Sequence, residues 1–170
     1  MKLSTLFVGL ALMASTILGQ GAIEKSLISV NDQTLRLGQA VSAWKGNLIR
    51  TLPIIKASTG ILESVAKGTK TAKQSEPLDF LGALGVAVAT NTLAGSVNSS
   101  LSALIQAKPK FDKLLLSPVI LINLDLQRKV TTEMSRAIVE KVPAELQGVA
   151  EELVRPIDAS FELAIDVFHL

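Results

Sequence analysis

The sequence predicts an all-α fold, an antiparallel bundle of four to five amphipathic helices behind a cleaved signal peptide. Three observations carry that expectation. Apolar residues recur at helical spacing, most clearly Ile23, Leu27, Val30, Thr34, Leu37, Val41 and Trp44, which alternate steps of four and three. No segment sustains a period-two alternation bounded by turn residues, so no sheet is expected. The apolar mass is aliphatic: the 170 residues include five Phe, one Trp and no Tyr or Cys, which suits helices packed through Leu, Ile, Val and Ala stripes.

At the start, Met1 and Lys2 precede an almost unbroken apolar run, Leu3 to Leu18, followed by Gly19, Gly21 and Ala22. A positive residue, a short apolar core and small residues are the layout of a secretory signal peptide. The competing reading is an anchor that stays in the membrane. The run of 16 residues is short of the roughly 20 that span a bilayer, and Ser4, Thr5, Gly9, Ser15 and Thr16 dilute it. Cleavage is therefore expected, between Thr16 and Ala22. Residues 1–21 form the leader and 22–170 a single helical domain, secreted from the cell. A domain of about 150 residues can bury roughly 70% of its unfolded surface. No later run of spanning length is read, so no integral membrane span is expected in the mature protein. With no cysteine, the exported domain depends on its core rather than on disulfides.

The first helix carries the seven-residue stripe and stops at Gly46-Asn47, a C-cap pair. The second is expected from Ile54 to Gln74, with Ile55, Leu62, Val65, Thr69 and Ala72 on one face. Gly60 and Gly68 weaken it by up to ~1 kcal/mol each. Asp79 is the N-cap of the third, whose apolar side is Leu81, Leu84, Val88, Leu93, Val97, Leu101, Leu104 and Ile105. Gly82, Gly85 and Gly95 leave room there for a close neighbour or for something that is not protein. Lys108-Pro109 should close it, because the residue before proline disfavours helix. Ser117 caps the fourth and Pro118 sits in its first turn. Its side is Val119, Ile122, Leu126, Val130, Met134, Ala137 and Ile138, widened by Ile120, Leu121 and Leu124. Pro143 opens the fifth, with Leu146, Ala150, Leu153, Ile157, Phe161, Ala164, Ile165 and Phe168. Pro156 should bend or briefly break it.

The same residues exclude several chemistries. Lys and Arg total 17 against 15 Asp and Glu, net +2, and they are scattered, so no nucleic-acid footprint is drawn. The single histidine, His169, stands next to the C-terminus and there is no cysteine, so neither a catalytic triad nor a metal site is expected. Glu151 and Glu152 point about 100° apart on a helix and read as surface charge. No catalytic residue, metal or cofactor is assigned, and no enzyme is expected. Asn98-Ser99-Ser100 matches an N-glycosylation acceptor.

The surplus of apolar positions on the fourth helix and the glycines of the third point to a cavity or an adsorbing face. Candidate lining residues are Leu84, Val88 and Leu101 on the third helix, and Ile122, Leu126 and Met134 on the fourth. The fifth adds Leu153, Ile157 and Phe161. Each CH₂ moved out of water contributes about 0.8 kcal/mol, so a tail of about a dozen carbons gains on the order of 10 kcal/mol before ordering costs. The polar head would sit at the mouth near Lys or Arg.

Several segments resemble the fungal hydrophobic surface-binding protein A family, which includes cell wall galactomannoproteins. They are Ala40-Val41 with Trp44 and Gly46, Ser75-Glu76-Pro77-Leu78-Asp79, Lys108-Pro109-Lys110-Phe111-Asp112, Lys141-Val142-Pro143-Ala144-Glu145-Leu146, and Ile157-Asp158-Ala159-Ser160-Phe161 with Ala164, Ile165 and Phe168. In order, they cover Val30 to Phe168. Pro156, Asn47 and Phe168 depart from the family pattern. The resemblance implies a secreted, non-enzymatic helical bundle, at the cell wall or outside the cell, that binds hydrophobic surfaces or fatty-acid-like lipids. The alternative it implies is a structural adsorber that recruits secreted hydrolases without a small-molecule pocket.

Overall fold

The structure, a computed structural model, describes residues 21–169 with their side chains. The leader expected over residues 1–21 lies, Gly21 apart, outside the residues whose side chains are described. Five α-helices follow one another: α1 (Ser4–Ala43), α2 (Leu52–Gln74), α3 (Phe80–Lys113), α4 (Ser117–Val139) and α5 (Gln147–His169). Short 3₁₀ turns, Leu48–Thr51 and Ala144–Leu146, precede α2 and α5. No strand occurs among the described residues.

The α1 stripe is buried along its whole length, from Ile23 to Trp44, no member exceeding 4% exposure. The helix stops where the sequence leaves helical conformation. Gly46 takes a left-handed φ of +84°, the indole N–H of Trp44 donates to the Asn47 carbonyl at 2.8 Å, and Asn47 Oδ1 accepts from the Ile49 N–H at 2.9 Å.

Around the bundle the spatial order is α1, α2, α4, α5, α3 and back to α1. Helices consecutive in the chain run antiparallel, as expected. The closest spatial neighbours also include parallel pairs, which the short connections did not suggest. Along α1 and α3, Glu24 faces Gly85 and Ser100 Oγ donates to the Thr34 carbonyl at 2.7 Å. Further down, Lys110 Nζ donates to the Trp44 carbonyl at 3.0 Å. All three contacts run in one direction.

Gly38 marks the close approach of α1 and α3. A Cβ there would stand 2.6 Å from Ser100 Oγ and 3.3 Å from the Ser100 Cα. Backbone cannot swing aside as a side chain can. Gly38→Ala is therefore expected to lose about 1–2 kcal/mol, overpacking outweighing the ~1 kcal/mol helix propensity that alanine brings. Gly95, expected to leave room for a neighbour, has nothing within 4 Å. Gly95→Ala should gain up to ~1 kcal/mol. Urea unfolding of both variants checks the contrast.

Two proline expectations are corrected. Pro109 does not close α3, which continues to Lys113. An internal proline costs ~3 kcal/mol. Phe111, just beyond, is 1% exposed and stacks on Trp44 with centroids 4.4 Å apart, and burying such a ring returns about 1.5–3 kcal/mol plus 0.5–1.5 for the pair. Pro156 does not break α5. It is exposed, so the Glu152 carbonyl it leaves without a donor can bond to water.

Helix faces were misassigned in three places. On α2, Ile55 is exposed and Ile54, Ala57, Ser58 and Ile61 are buried. On α3, Leu81, Leu84 and Val88 stand outside while Ala83, Val86 and Thr90 face in. On α4, Val119, Ile122 and Leu126 are exposed and Ser117, Leu124 and Gln127 are buried. Small and polar residues face inward where helices approach closely, and their polar groups have partners. Gln127 Nε2 donates to Ser58 Oγ at 3.0 Å and to Asn123 Oδ1 at 2.6 Å, and Ser58 Oγ donates to Asn123 Oδ1 at 2.7 Å. Ser117 does not cap α4 from the N-cap position, which Leu116 holds; its hydroxyl donates to the Asp112 carboxylate instead. By length and composition α3 is apolar enough to cross a membrane, contrary to the reading of no such run. Here its inner face packs between α1 and α5.

Candidate ligand cavity

The start of α3, the end of α4 and the first half of α5 line a half-open cavity of about 180 Å³. From α3 come Phe80, Ala83, Leu84, Val86, Ala87 and Thr90; Ile138 and Val139 end α4. Val142 and Leu146 close one side, and Val149, Ala150, Leu153 and Val154 the other. Thr90 brings the one side-chain hydroxyl, and it already donates to the Val86 carbonyl at 2.8 Å. The interior therefore offers no free polar group. It selects for hydrocarbon, and any charged head must stay at the rim in water.

Local sequence explains the enclosure. Asp79 Oδ1 accepts from the Gly82 N–H at 2.7 Å, the N-cap expected, which fixes where α3 begins. The preceding segment is tied across the bundle: the Leu78 N–H donates to the Lys141 carbonyl at 2.7 Å, and both Leu78 and Val142 are buried. Gln147 Nε2 donates to the Val142 carbonyl at 3.1 Å. The α2–α3 and α4–α5 connections are thus one closed end. At its rim Phe80, Leu84 and Val149 are more than half exposed.

Two smaller spaces lie beside this cavity. A groove of about 80 Å³ between α4 and α5 shares Val154 with the main cavity. A void of about 20 Å³ on the bundle axis, touched by all five helices, shares Thr131 and Phe161 with that groove. Each space thus shares lining residues with the next. A larger open groove of about 780 Å³ between α1 and α2 is lined by Gln33, Arg36, Gln39, Lys56 and Glu63 among others. Its walls are charged and wet, which makes it a poor host for hydrocarbon.

The sequence-predicted lining residues divide accordingly. Leu84 and Leu153 line the main cavity. Ile157 and Phe161 line the groove, and Phe161 with Leu101 the axial void. Met134 is buried against Gly68 and lines none of these spaces. Val88, Ile122 and Leu126 are exposed and line none either, because the true inner faces of α3 and α4 are rotated from the expected ones. Phe80, Ala83, Val86, Ile138, Val149 and Ala150 were missed. Asp79 fixes the start of α3, but not which of its apolar residues turn inward.

Arg128 latches α4 to α5 beside the groove. Its Nε and a terminal nitrogen each donate to an Asp158 oxygen at 2.8 Å, with Glu162 3.9 Å away. The hydrogen bond from Arg128 holds the Asp158 carboxyl below its ordinary value, and the bond to Asp158 raises the guanidinium. A depressed folded-state pKa stabilises above the unfolded value near 4 and ceases to do so as pH falls through the lower folded value. Both side chains are a third or more exposed, so the effect is at most ~1 kcal/mol. Asp158→Asn should lose that amount at about pH 7 and match the parent at about pH 2, read by thermal unfolding at both.

The hydrophobic surface binding protein A family model matches residues 21–140. Over 99% of its length the chain is 24% identical to cell wall mannoprotein 1 of Aspergillus flavus and 27% identical to that of Aspergillus fumigatus. It spans only 63% and 60% of those two relatives. Among solved structures, Afmp4p in complex with palmitic acid superposes with a TM-score of 0.85 at 23% identity, over 88% of this chain and 99% of that one. Ligand binding domain 1 of Penicillium marneffei MP1 protein, complexed with arachidonic acids, gives 0.84 at 16%, over 89% and 99%. At these identities the superpositions establish a shared fold.

Proposed function

Since the chain belongs to the hydrophobic surface binding protein A family, we propose that it is a secreted, non-enzymatic protein that holds a fatty-acid-like lipid between α3, α4 and α5. The observation that carries this is the 180 Å³ cavity whose one side-chain hydroxyl is already engaged. An engineered cavity of about 150 Å³ admits benzene, so this one takes roughly seven tail carbons. Their burial contributes on the order of 5 kcal/mol before ordering costs. A longer tail extends past Val154 into the α4–α5 groove and toward Phe161, parting the helices as it goes. That motion breaks few polar contacts, because the pairing of Arg128 with Asp158 and Glu162 supplies the ion pairs there. Relatives named as cell wall mannoproteins support a site of action outside the cell or at the wall, and structural neighbours crystallised with palmitic or arachidonic acid support the ligand class.

Native mass spectrometry of delipidated protein with saturated fatty acids of increasing length tests it. Fixed stoichiometry is expected, with affinity rising with each added CH₂ until the neighbouring spaces are filled. A spectrum that stays ligand-free with every acid would overturn it. The second reading, adsorption to hydrophobic solids with recruitment of hydrolases, draws on exposed apolar side chains such as Ile49 and Leu115. It predicts partitioning onto polyester with no saturable ligand.

Asn98, exposed on α3, is the proposed glycan acceptor. Ser100 of the same triplet is buried and donates to Thr34. Its hydroxyl is reachable only before α1 and α3 dock, so attachment must precede folding. The intact mass of secreted protein with and without glycosidase reads this out.

A further inference from the structure

Opposite the cavity, on the order of 40 Å along α3 at 1.5 Å per residue, the bundle ends in exposed apolar side chains set among cations. Between residues 45 and 56 stand Lys45, Arg50 and Lys56 and no acidic residue. Between residues 108 and 118 stand Lys108, Lys110 and Lys113 against Asp112 alone. Asp112 is already occupied by Lys108, 3.0 Å away, and by the Ser117 hydroxyl. Lys45, Arg50, Lys56 and Lys113 make no ion pair among the described residues.

The two segments are brought to one end by the Trp44–Phe111 stack, by Lys110 bonded to the Trp44 carbonyl, and by α2 running alongside α4 at Ser58 and Asn123. Among the cations Ile49 is 87% and Leu115 85% exposed, with Leu48, Leu52 and Val119 each more than half exposed. Leu115 takes a left-handed φ of 56°, uncommon for a leucine, and gains no burial in return. The nearest acidic residue along α4, Asp125, lies about two turns back from the tip, and on α5, whose Phe168 packs against Phe111 at this end, the nearest is Asp166.

We propose that this end docks on anionic lipid bilayers, with Ile49 and Leu115 inserted at the interface and Lys45, Arg50, Lys56 and Lys113 facing lipid phosphates and carboxylates. Charge complementarity selects the occupant. An uncharged wax or polyester gives the basic ring nothing to pair with, whereas apolar tips surrounded by Lys and Arg match an acidic bilayer surface. The docked protein would hold the cavity mouth away from the membrane. The inference stands apart from the cavity reading, since none of these residues lines the cavity.

The test is co-sedimentation of the delipidated full chain with vesicles of phosphatidylcholine alone or containing about one third phosphatidylserine. At least ten-fold more protein should bind the anionic vesicles, and binding should fall steeply by about 0.5 M salt. The double variant Ile49→Asp/Leu115→Asp should lose at least ten-fold. Lys45→Glu/Arg50→Glu, checked for unchanged melting, should lose a similar factor. Both should still take up fatty acid, which separates this proposal from the cavity reading. Equal binding to both vesicle types, no binding to either, or full retention by Ile49→Asp/Leu115→Asp would overturn it.

Discussion

Ala150→Trp is expected to abolish fatty-acid uptake while leaving the bundle folded. Ala150 is half-buried on α5, packs against the core and lines the cavity. Its β-carbon projects toward the space, so an indole there occupies the volume that roughly six or seven tail carbons would fill. Excluding seven methylenes removes on the order of 5 kcal/mol, and each 1.4 kcal/mol is a factor of ten in affinity. A tail could still reach the α4–α5 groove, so the expected loss is at least 100-fold rather than the full arithmetic value. The indole fills a void instead of displacing packed atoms, so melting should hold or rise. Leu153→Ala is the opposite change. It enlarges the same wall, costs about 2–3 kcal/mol of stability, and should keep or tighten binding of long acids. Calorimetric titration with palmitate on both variants decides the matter: an Ala150→Trp protein that takes up ligand like the parent would remove the cavity from the argument.

How much could be read from the sequence varied by helix, for a physical reason. On α1 all fully buried positions are large or are Thr34, so the stripe and the buried face coincide residue by residue. The fifth helix was legible for the same reason from Ile157 to Phe168. Near the starts of α3 and α4 the rule that large apolar residues face inward failed, although Leu93, Val97, Leu101 and Leu104 farther along α3, and Met134, Ala137 and Ile138 along α4, are buried as expected. Ala83, Ser100, Ser117 and Gln127 are buried because helices approach too closely for larger groups, or because a partner satisfies their polar atoms. Leu81, Val88, Val119 and Ile122 are left outside. The apolar surplus read on α4 from Ile120, Leu121 and Leu124 belongs to the core or packs on it, while other greasy surface serves no core. The sequence pattern did not say whether that surface lines a cavity, as Leu84 does, or faces solvent, as Ile122 does. The cavity depends on the Leu78–Lys141 tie between two connections more than 60 residues apart in the chain, and no local pattern announces such a tie.

Phe111→Ala is expected to cost about 4 kcal/mol, a large fraction of the 5–15 kcal/mol that holds an ordinary domain together. The ring is 1% exposed, stacked on Trp44 at 4.4 Å and tilted against Phe168 at 6.2 Å. It thereby joins the ends of α1, α3 and α5, in a chain with few aromatics to replace it. It also offsets Pro109. Without the ring, the last turn of α3 keeps the proline penalty and loses the burial that outweighed it, so the segment from Pro109 to Leu116 should fray. Two consequences follow. Amides of that segment should exchange faster than the loss of global stability alone requires, as hydrogen exchange would register. In addition, Pro109→Ala should recover less stability in the Phe111→Ala background than in the parent, because a frayed end no longer carries the helix penalty of the proline. A Phe111→Ala cost below about 1 kcal/mol, or purely additive behaviour of the pair, would show that the aromatic contact does not carry the helix through the proline. Fatty-acid uptake reads out the opposite end of α3. Below its lowered melting temperature, Phe111→Ala should bind ligand as the parent does, whereas Ala150→Trp should keep its stability and lose the ligand.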